Sequence, residues 1–304
     1  MLADRVRNAA FQAALARLIV KGETTVADIG AGTGLLGFLA AKLGAMRVDL
    51  YEAAGVASVA RKLLRHNRLR NCRLFEMHST EVMEPDRVEV VVCETLGNYA
   101  LEENIVETLN DARKRFLKPG GTVIPAGVRQ LVCPVVGRRF LDELAAWDSV
   151  GYGLDFGPAK AVTLNNIYVR TFATGDLLDE AQAAQVWDEL SFLQHNKTTR
   201  SGEASWTLGR RTVVHGLALW WTADLANGIA LATGPLDPRT HWEQLYLPVL
   251  EPITVDAGQM LTARVRSTTS YERGTNVAWA ITVRDAAGRQ LSHQSLDLEK
   301  GFLP

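Results

Sequence analysis

Two glutamates, Glu94 and Glu103, stand nine residues apart across the stretch Thr95-Leu-Gly-Asn-Tyr-Ala-Leu-Glu102. The first follows an apolar run, Val88 to Cys93, which has the pattern of a buried strand. Ligand sites of open α/β sheets lie at such strand ends. A loop of this length can fold back and bring both carboxylates to one place. Close carboxylates repel each other unless they share a proton or a cation. A planar guanidinium suits them, because its fork pairs bidentately with carboxylate oxygens. For Glu102 and Glu103 a plainer reading stays open, an acidic first turn of the next helix favoured by the helix dipole.

A second constellation lies upstream. Thr25 to Ile29 reads as a strand, Gly30-Ala-Gly32-Thr-Gly34 as a tight turn, and Leu35 to Leu43 as a helix ended by Gly44. Glycines let the chain turn sharply and let a ligand approach the backbone at a helix start. Glu52 ends the next strand, Arg47 to Tyr51, where an acid can bind ribose hydroxyls. Gly32-Thr-Gly34-Leu-Leu-Gly37 followed by Glu52 also satisfies the dinucleotide pattern, so a nicotinamide cofactor is one reading. Asp28, just before the glycines, favours the other. A carboxylate there repels a pyrophosphate and attracts an ammonium group, and S-adenosylmethionine carries an ammonium and no phosphate.

Positioning these groups requires alternating strands and helices. Phe11, Ala14, Leu15, Leu18 and Ile19 share one face of a first helix. Val56 to Asn67 gives a further helix, Cys72 to Met77 and Val88 to Cys93 further strands, and Ile105, Leu109, Ala112 and Phe116 another helical face. After Lys118-Pro-Gly-Gly121, Thr122 to Ile124 starts a fifth strand. The expected fold is α/β, a doubly wound, mostly parallel Rossmann-like sheet. Beyond Pro125 the pattern changes to short Val- and Trp-rich runs separated by turn residues, such as Leu131 to Val136, Val213 to Thr222, Ile229 to Thr233, Leu261 to Ser267 and Val277 to Val283. They predict an antiparallel β-barrel or sandwich, with one helical insert near Leu178 to Phe192. The boundary falls near Pro125, giving domains 1–125 and 126–304.

Composition narrows the classes. The chain has 304 residues, 47% hydrophobic and 22% charged, which excludes global disorder. A net charge of −1 argues against a broad nucleic-acid surface, and no direct nucleic-acid partner is expected. The most apolar stretch, Val213 to Thr233, is interrupted by His215, Asp224 and Asn227-Gly228, so it predicts a hairpin and no membrane association. Cys72, Cys93 and Cys133 are few and widely spaced, which fits a reducing compartment, and a cytoplasmic location is expected. The six histidines show no ligand spacing, and no metal is expected.

Taken together, these segments resemble the protein arginine methyltransferases over most of the chain. Val26-Ala-Asp28-Ile-Gly30-Ala-Gly32-Thr-Gly34 resembles the family's cofactor loop, Glu52 its ribose acid, and His78-Ser-Thr-Glu81 the segment that contacts adenine. Glu94 through Glu103 resembles the two-glutamate loop that clamps the substrate guanidinium. Thr233-Gly-Pro235 and Pro238-Arg-Thr240-His241-Trp242 resemble the Thr-His-Trp loop beside the active site. The resemblance implies that His241 pairs with Asp4, that Arg7 holds the methionine carboxylate, and that Trp242 meets the substrate. It implies S-adenosylmethionine as cofactor, with Arg7, Asp28, Gly30, Gly32, Gly34, Glu52 and Glu81 binding it. The implied activity is methyl transfer to a guanidino nitrogen of a protein arginine, catalysed by Glu94, Glu103, His241 and Asp4. The alternative substrate is free arginine or another small molecule. Trp147 to Phe156 resembles a dimerisation arm, expected at about 140–175, and implies a homodimer.

Two departures stand out. The resemblance starts at Met1-Leu2, without the family's earlier helix and its paired tyrosines, so either a misplaced start or a more open arginine pocket is expected. Glu94-Thr-Leu-Gly-Asn98 stands where many members carry Glu-Trp-Met-Gly-Tyr, and this leaves the product type unassigned.

Overall fold

The computed structural model describes residues 1–301. Helix α1 (Arg5–Leu18) starts at Asp4, whose side chain caps it by accepting the Arg7 N–H at 2.9 Å. Its buried face is Arg7, Phe11, Ala14 and Leu15, spaced i, i+4, i+7, i+8. Then come β1 (Thr25–Ile29), α2 (Leu35–Lys42), β2 (Arg47–Tyr51), α3 (Ala57–His66), β3 (Cys72–Phe75), β4 (Val88–Cys93), α4 (Ile105–Arg115) and β5 (Leu117–Ile124). The strands form one parallel sheet in the order β3-β2-β1-β4-β5. Both faces are covered, which is why Val90, Val91, Val92 and Cys93 are all buried in succession.

The register sets the site. Ile29 at the end of β1 is level with Tyr51 on β2 and with Cys93 on β4. The next residues, Gly30, Glu52 and Glu94, therefore leave three adjacent strands side by side. The chain runs from β1 toward β2 on one side, and β4 returns on the other, so this point is also where the strand order reverses.

The remainder of the chain is largely antiparallel. Strand β6 (Gly127–Val135) is followed by α5 (Arg139–Leu144), a short 3₁₀ turn (Ala145–Ser149) and α6 (Gly157–Leu164). Then follow β7 (Tyr168–Arg170), β8 (Gln185–Ser191), β9 (Thr199–Thr207), β10 (Thr212–Ala226) and β11 (Ile229–Ala232). Strands β12 (Gln244–Val255), β13 (Met260–Ser270), β14 (Gly274–Arg284), β15 (Gln290–Asp297) and helix α7 (Leu298–Gly301) complete it. One sheet has the order β7-β12-β10-β6-β8 with β11 on β10, the other β15-β14-β13-β9. Burial alternates along β13, as expected of a strand with one face on a core. The expected hairpin is present. Asn227 and Gly228 both take positive φ, 48° and 80°, between β10 and β11.

One expectation is corrected. The helix expected near Leu178 to Phe192 is a 3₁₀ turn (Leu178–Ala181) followed by strand β8. Asp179 and Glu180 take positive φ, 48° and 54°, which stops a right-handed helix. Pairing with β6 then overrides the helical propensity of the Ala- and Gln-rich stretch. Over 140–175, where the arm is expected, α5, the 3₁₀ turn and α6 are followed by Tyr168–Arg170, which joins the sheet beside β12, and by a 3₁₀ turn (Thr174–Asp176).

Helix α1 packs against α2 of the parallel sheet and against β10 and β11 of the second sheet. Phe11 is fully buried there. Truncation to Ala should cost about 3–5 kcal/mol by loss of burial and by cavity formation. Urea denaturation of Phe11→Ala checks this, and a loss below about 1 kcal/mol would mean that α1 is not held by this contact.

Candidate functional site

The glycine turn is built for close approach. Gly30, Gly32 and Gly34 all have positive φ, 70°, 56° and 89°. A Cβ on Gly30 would press within 2.9 Å of the Thr95 methyl, so the glycine turn and the loop after Glu94 touch there. A Cβ on Gly32 would point into open space, which leaves that side of the turn free for a ligand. Glu52 grips the rim, its Oε2 accepting from Gly32 N–H and its Oε1 from Ala54 N–H, each at 2.7 Å.

Asp28 lies beneath this turn and is almost wholly buried. Its Oδ2 accepts the Gly37 N–H at 2.7 Å, and burial pushes its carboxyl up to about 7. The residue thus braces the start of α2, and its charge is shielded from solvent.

Glu94 ends β4 and is also buried. Its partner is Arg7. Nε of Arg7 donates to Glu94 Oε2 at 2.8 Å, and Nη2 donates to the same oxygen. The third nitrogen, Nη1, donates to Asn8 Oδ1 at 2.7 Å. Burial raises the Glu94 carboxyl, Arg7 opposes that shift, and the charge of Glu103 adds to it. Glu103 itself is exposed, and desolvation by its surroundings raises it as well.

The loop between them hangs from the antiparallel half. Trp242 Nε1 donates to the Leu96 carbonyl at 2.7 Å and Trp221 Nε1 to the Gly97 carbonyl at 2.9 Å. The two indoles meet edge to face with centroids 5.0 Å apart. Asn98 Oδ1 accepts the Glu243 N–H at 2.8 Å, and Tyr99 Oη donates to Ser267 Oγ. Glu102 folds over Gly97, where a Cβ would collide with its carboxylate, and accepts the Asn98 N–H at 2.7 Å.

His241 closes the site. Asp4 Oδ2 accepts its backbone N–H at 2.8 Å and lies 2.7 Å from its ring Nδ1. Burial lowers the imidazole below its ordinary value, against the pull of Asp4. Burial also acts to raise Asp4, but the N–H groups of Arg7 and His241 outweigh it and keep that carboxyl low.

Glu94, Arg7, Asp4, His241, Glu103 and the glycine turn with Asp28 and Glu52 thus gather at one end of the parallel sheet. Two predicted residues have hydrogen-bond partners within the chain. Trp242, expected to meet substrate, is 5% exposed and spends its only donor on the loop, so it positions Glu94 from behind. Glu81 turns back to accept the His78 N–H at 3.3 Å, closing a 3₁₀ turn (Ser79–Glu81), and in this conformation serves the backbone.

Other residues at the site are not apparent from motif reading. Trp221 and Tyr99 are such cases, and their apolar runs give no sign of the donors they supply. Tyr271, after β13, reaches the same 3₁₀ turn, its hydroxyl bonded to Thr108 Oγ1 and 3.4 Å from His78 Nε2. Arg7 does carry a signal. It continues the stripe Phe11, Ala14, Leu15 by one helical step, which marks it as a buried cation.

Asp28 gives a test of this arrangement. Its carboxyl binds a proton more readily folded than unfolded, so stability falls as pH rises from the ordinary carboxylate range through about 7. Asp28→Asn keeps the acceptor for Gly37 and removes the titration. In the ligand-free chain, the melting temperature of the variant relative to the parent should rise between about pH 5 and pH 8. Parallel curves over that range would contradict a titrating Asp28.

Comparison with known proteins gives a consistent neighbourhood. A family model described as the arginine methyltransferase oligomerization subdomain matches residues 131–283, and one described as ribosomal protein L11 methyltransferase matches residues 12–135. A probable protein arginine N-methyltransferase 3 of Arabidopsis thaliana is 29% identical over 98% of this chain, which spans 53% of that relative's length. Protein arginine N-methyltransferase 6 of Xenopus tropicalis is 28% identical over 87% of this chain and 81% of its own length. Among solved structures, the Trypanosoma brucei PRMT1 enzyme-prozyme heterotetrameric complex with AdoHcy superposes with a TM-score of 0.86, at 22% identity, covering 98% of this chain and 96% of that one. Arabidopsis thaliana protein arginine methyltransferase 10 superposes with a TM-score of 0.80, at 24% identity over 98% and 96% of the two chains. At these identities the structural likeness speaks for the fold.

Proposed function

The chain belongs to the protein arginine methyltransferase family, and from that premise we propose that it moves a methyl group from S-adenosylmethionine to a guanidino nitrogen of protein arginine. One observation carries the reading. Glu94, at the end of β4 and level with the glycine turn, already binds a guanidinium through two N–H donors, that of Arg7.

The groups of the site fit the cofactor. Gly32 leaves the turn open, and Glu52 presents a carboxylate at its rim for ribose hydroxyls. Arg7 supplies the cation for the methionine carboxylate, and Asp28 lies below as a buried anion for the ammonium side. When bound, the sulfonium offers an electrophilic methyl group. In this proposal residues 1–125 hold the cofactor and carry the two clamp glutamates, and residues 126–304 form the rest of the substrate side.

A guanidinium stays protonated near neutral pH, and its nitrogens are weak nucleophiles because their lone pairs are delocalised. Glu94 and Glu103 hold the fork and draw positive charge toward the nitrogens they bind, which leaves the remaining nitrogen more electron-rich. Much of the acceleration then comes from orientation and from charges set in place before the reaction. The proton leaves through Glu103 or through the His241–Asp4 pair. His241 fits the second route by its place beside Asp4, with burial lowering the imidazole against the pull of that carboxylate.

Protein arginine is the preferred substrate because the relatives are named for it, histone-arginine methyltransferases among them. Methyl transfer from labelled S-adenosylmethionine should be tested in parallel on an Arg-rich protein, free L-arginine and a Lys-rich control. Label is expected on the Arg-rich protein and should fall by about a thousandfold or more in Glu94→Gln, with cofactor binding retained. Label on free arginine alone would move the proposal to a small guanidino substrate. Undiminished transfer by the variant would remove Glu94 from the chemistry.

The proposed assembly is a homodimer. Its support is the oligomerization subdomain match and the loop between α5 and α6, where Tyr152 is 93% exposed and Leu154 64% exposed. Light scattering should give twice the chain mass for the parent and a single chain mass for Tyr152→Ser with Leu154→Ser. A dimeric double variant would exclude this loop as the contact. The proposed compartment is the cytoplasm, consistent with the buried free thiols of Cys72, Cys93 and Cys133.

A further inference from the structure

We propose that Tyr271, carried in the turn between β13 and β14, selects the cofactor by accepting a hydrogen bond from the exocyclic amine of its adenine base. The inference rests on the reading of the site as one for S-adenosylmethionine.

The base end of the cleft follows from the ribose acid. Glu52 leaves β2, and its backbone N–H donates to the Phe75 carbonyl at the end of β3, at 3.1 Å. In the order β3-β2-β1-β4 the methyl group belongs toward Glu94 on β4. The base, joined to the opposite end of the ribose, then belongs toward the segment after β3. That segment holds the 3₁₀ turn Ser79–Glu81, tied to α4 by Arg115, which donates to the Ser79 and Val82 carbonyls. Ser79 Oγ is buried in the turn and has no partner among the described residues. A buried hydroxyl left so gains from a ligand that supplies a partner.

Tyr271 reaches this corner from the antiparallel half on a fixed support. Its backbone N–H donates to Glu107 Oε2 on α4 at 3.1 Å, and Thr275 Oγ1 donates to the Glu102 carbonyl at 3.4 Å. The phenol ring stands edge-on to His78, with centroids 5.5 Å apart, and is still 51% exposed.

Its hydroxyl has one direction open. Phenolic protons are more acidic than those of aliphatic hydroxyls, so Tyr271 Oη donates and Thr108 Oγ1 accepts. His78 Nδ1 accepts from Thr80, which leaves the ring proton on Nε2, 3.4 Å from Tyr271 Oη. Tyr271 Oη thus accepts from His78 and keeps a second lone pair without a partner among the described residues. That position can only accept. The amine of adenine donates to it, whereas a carbonyl on the same carbon, as in hypoxanthine, sets lone pair against lone pair.

Calorimetric titration tests this without turnover. S-adenosylhomocysteine and S-inosylhomocysteine, which carries that carbonyl, are each titrated into the protein. The parent should prefer the adenosyl ligand by about tenfold or more. In Tyr271→Phe the preference should fall by about tenfold, through weaker adenosyl binding, with inosyl binding held or improved. Tyr271→Leu should show the same lowered preference at lower affinity for both ligands, and serves where the Phe variant does not fold. A tyrosine that only ties the two halves together would lower the melting temperature and change both affinities alike. An unchanged preference in either variant therefore overturns the proposal, as does a parent without preference. Absence of binding of both ligands to the parent removes the cofactor reading itself, and the proposal with it.

Discussion

A carboxylate buried at the end of a parallel strand requires a cation beside it, and the rest of this site is arranged around that requirement. Glu94 cannot move into water without disrupting β4, and as an ion it cannot remain unpaired in the interior. Arg7 answers it from another element. To do so, α1 must lie across the sheet end with its first turn aimed at β4, which the buried stripe Arg7, Phe11, Ala14 and Leu15 achieves. The same turn presents Asp4 to His241, so one helical turn links the parallel sheet to the Thr-His-Trp loop. Helix α1 is therefore the element through which the two halves of the chain share a site.

The antiparallel half contributes rigidity. Loops that carry reactive groups are mobile unless something holds their backbone. Here successive carbonyls, Leu96 and Gly97, each accept from a buried indole, and those indoles pack against each other. Both donors come from the second sheet system, Trp221 on β10 and Trp242 just before β12. A shift between the halves would break these bonds and move the loop that bears Glu94 and Glu103. The 3₁₀ turn after β3 is held in a comparable way, with Arg115 on α4 donating to the Ser79 carbonyl and Tyr271 reaching in beyond β13.

How much of this was legible in the sequence differs by level. The parallel sheet could be read because its periodicity and its glycine turn are local, whereas the register that levels Ile29, Tyr51 and Cys93 is seen only in the structure. Glu94 and Glu103 could be singled out because one ends an apolar run and the other lies a loop's length away. The pairing of Asp4 with His241 spans 237 residues and came only from a family resemblance. Strand β8 was misread because local propensity favours helix and the pairing with β6 that decides the matter is non-local. The substrate role of Trp242 follows only from the family resemblance, because nothing local to an indole shows which way its N–H points. Only the position of the Leu96 carbonyl shows that its polar end faces the scaffold.

Charge accounts for what such a site can select. Asp28, Glu52 and Glu94 converge on one sheet end, the charge of Glu103 reaches Glu94, and Arg7 is the cation bonded to Glu94. Asp28, Glu94 and Glu103 are all raised above their ordinary values, so the ligand-free fold holds these carboxyls at a disadvantage as ions. A cation that enters relieves this disadvantage, and the relief adds to its binding energy. Neutral or anionic ligands receive no such contribution. A sulfonium with its ammonium group and a guanidinium are both cations, and a single excess of negative charge serves both. That is why the two ligands can be bound by carboxylates leaving adjacent strands.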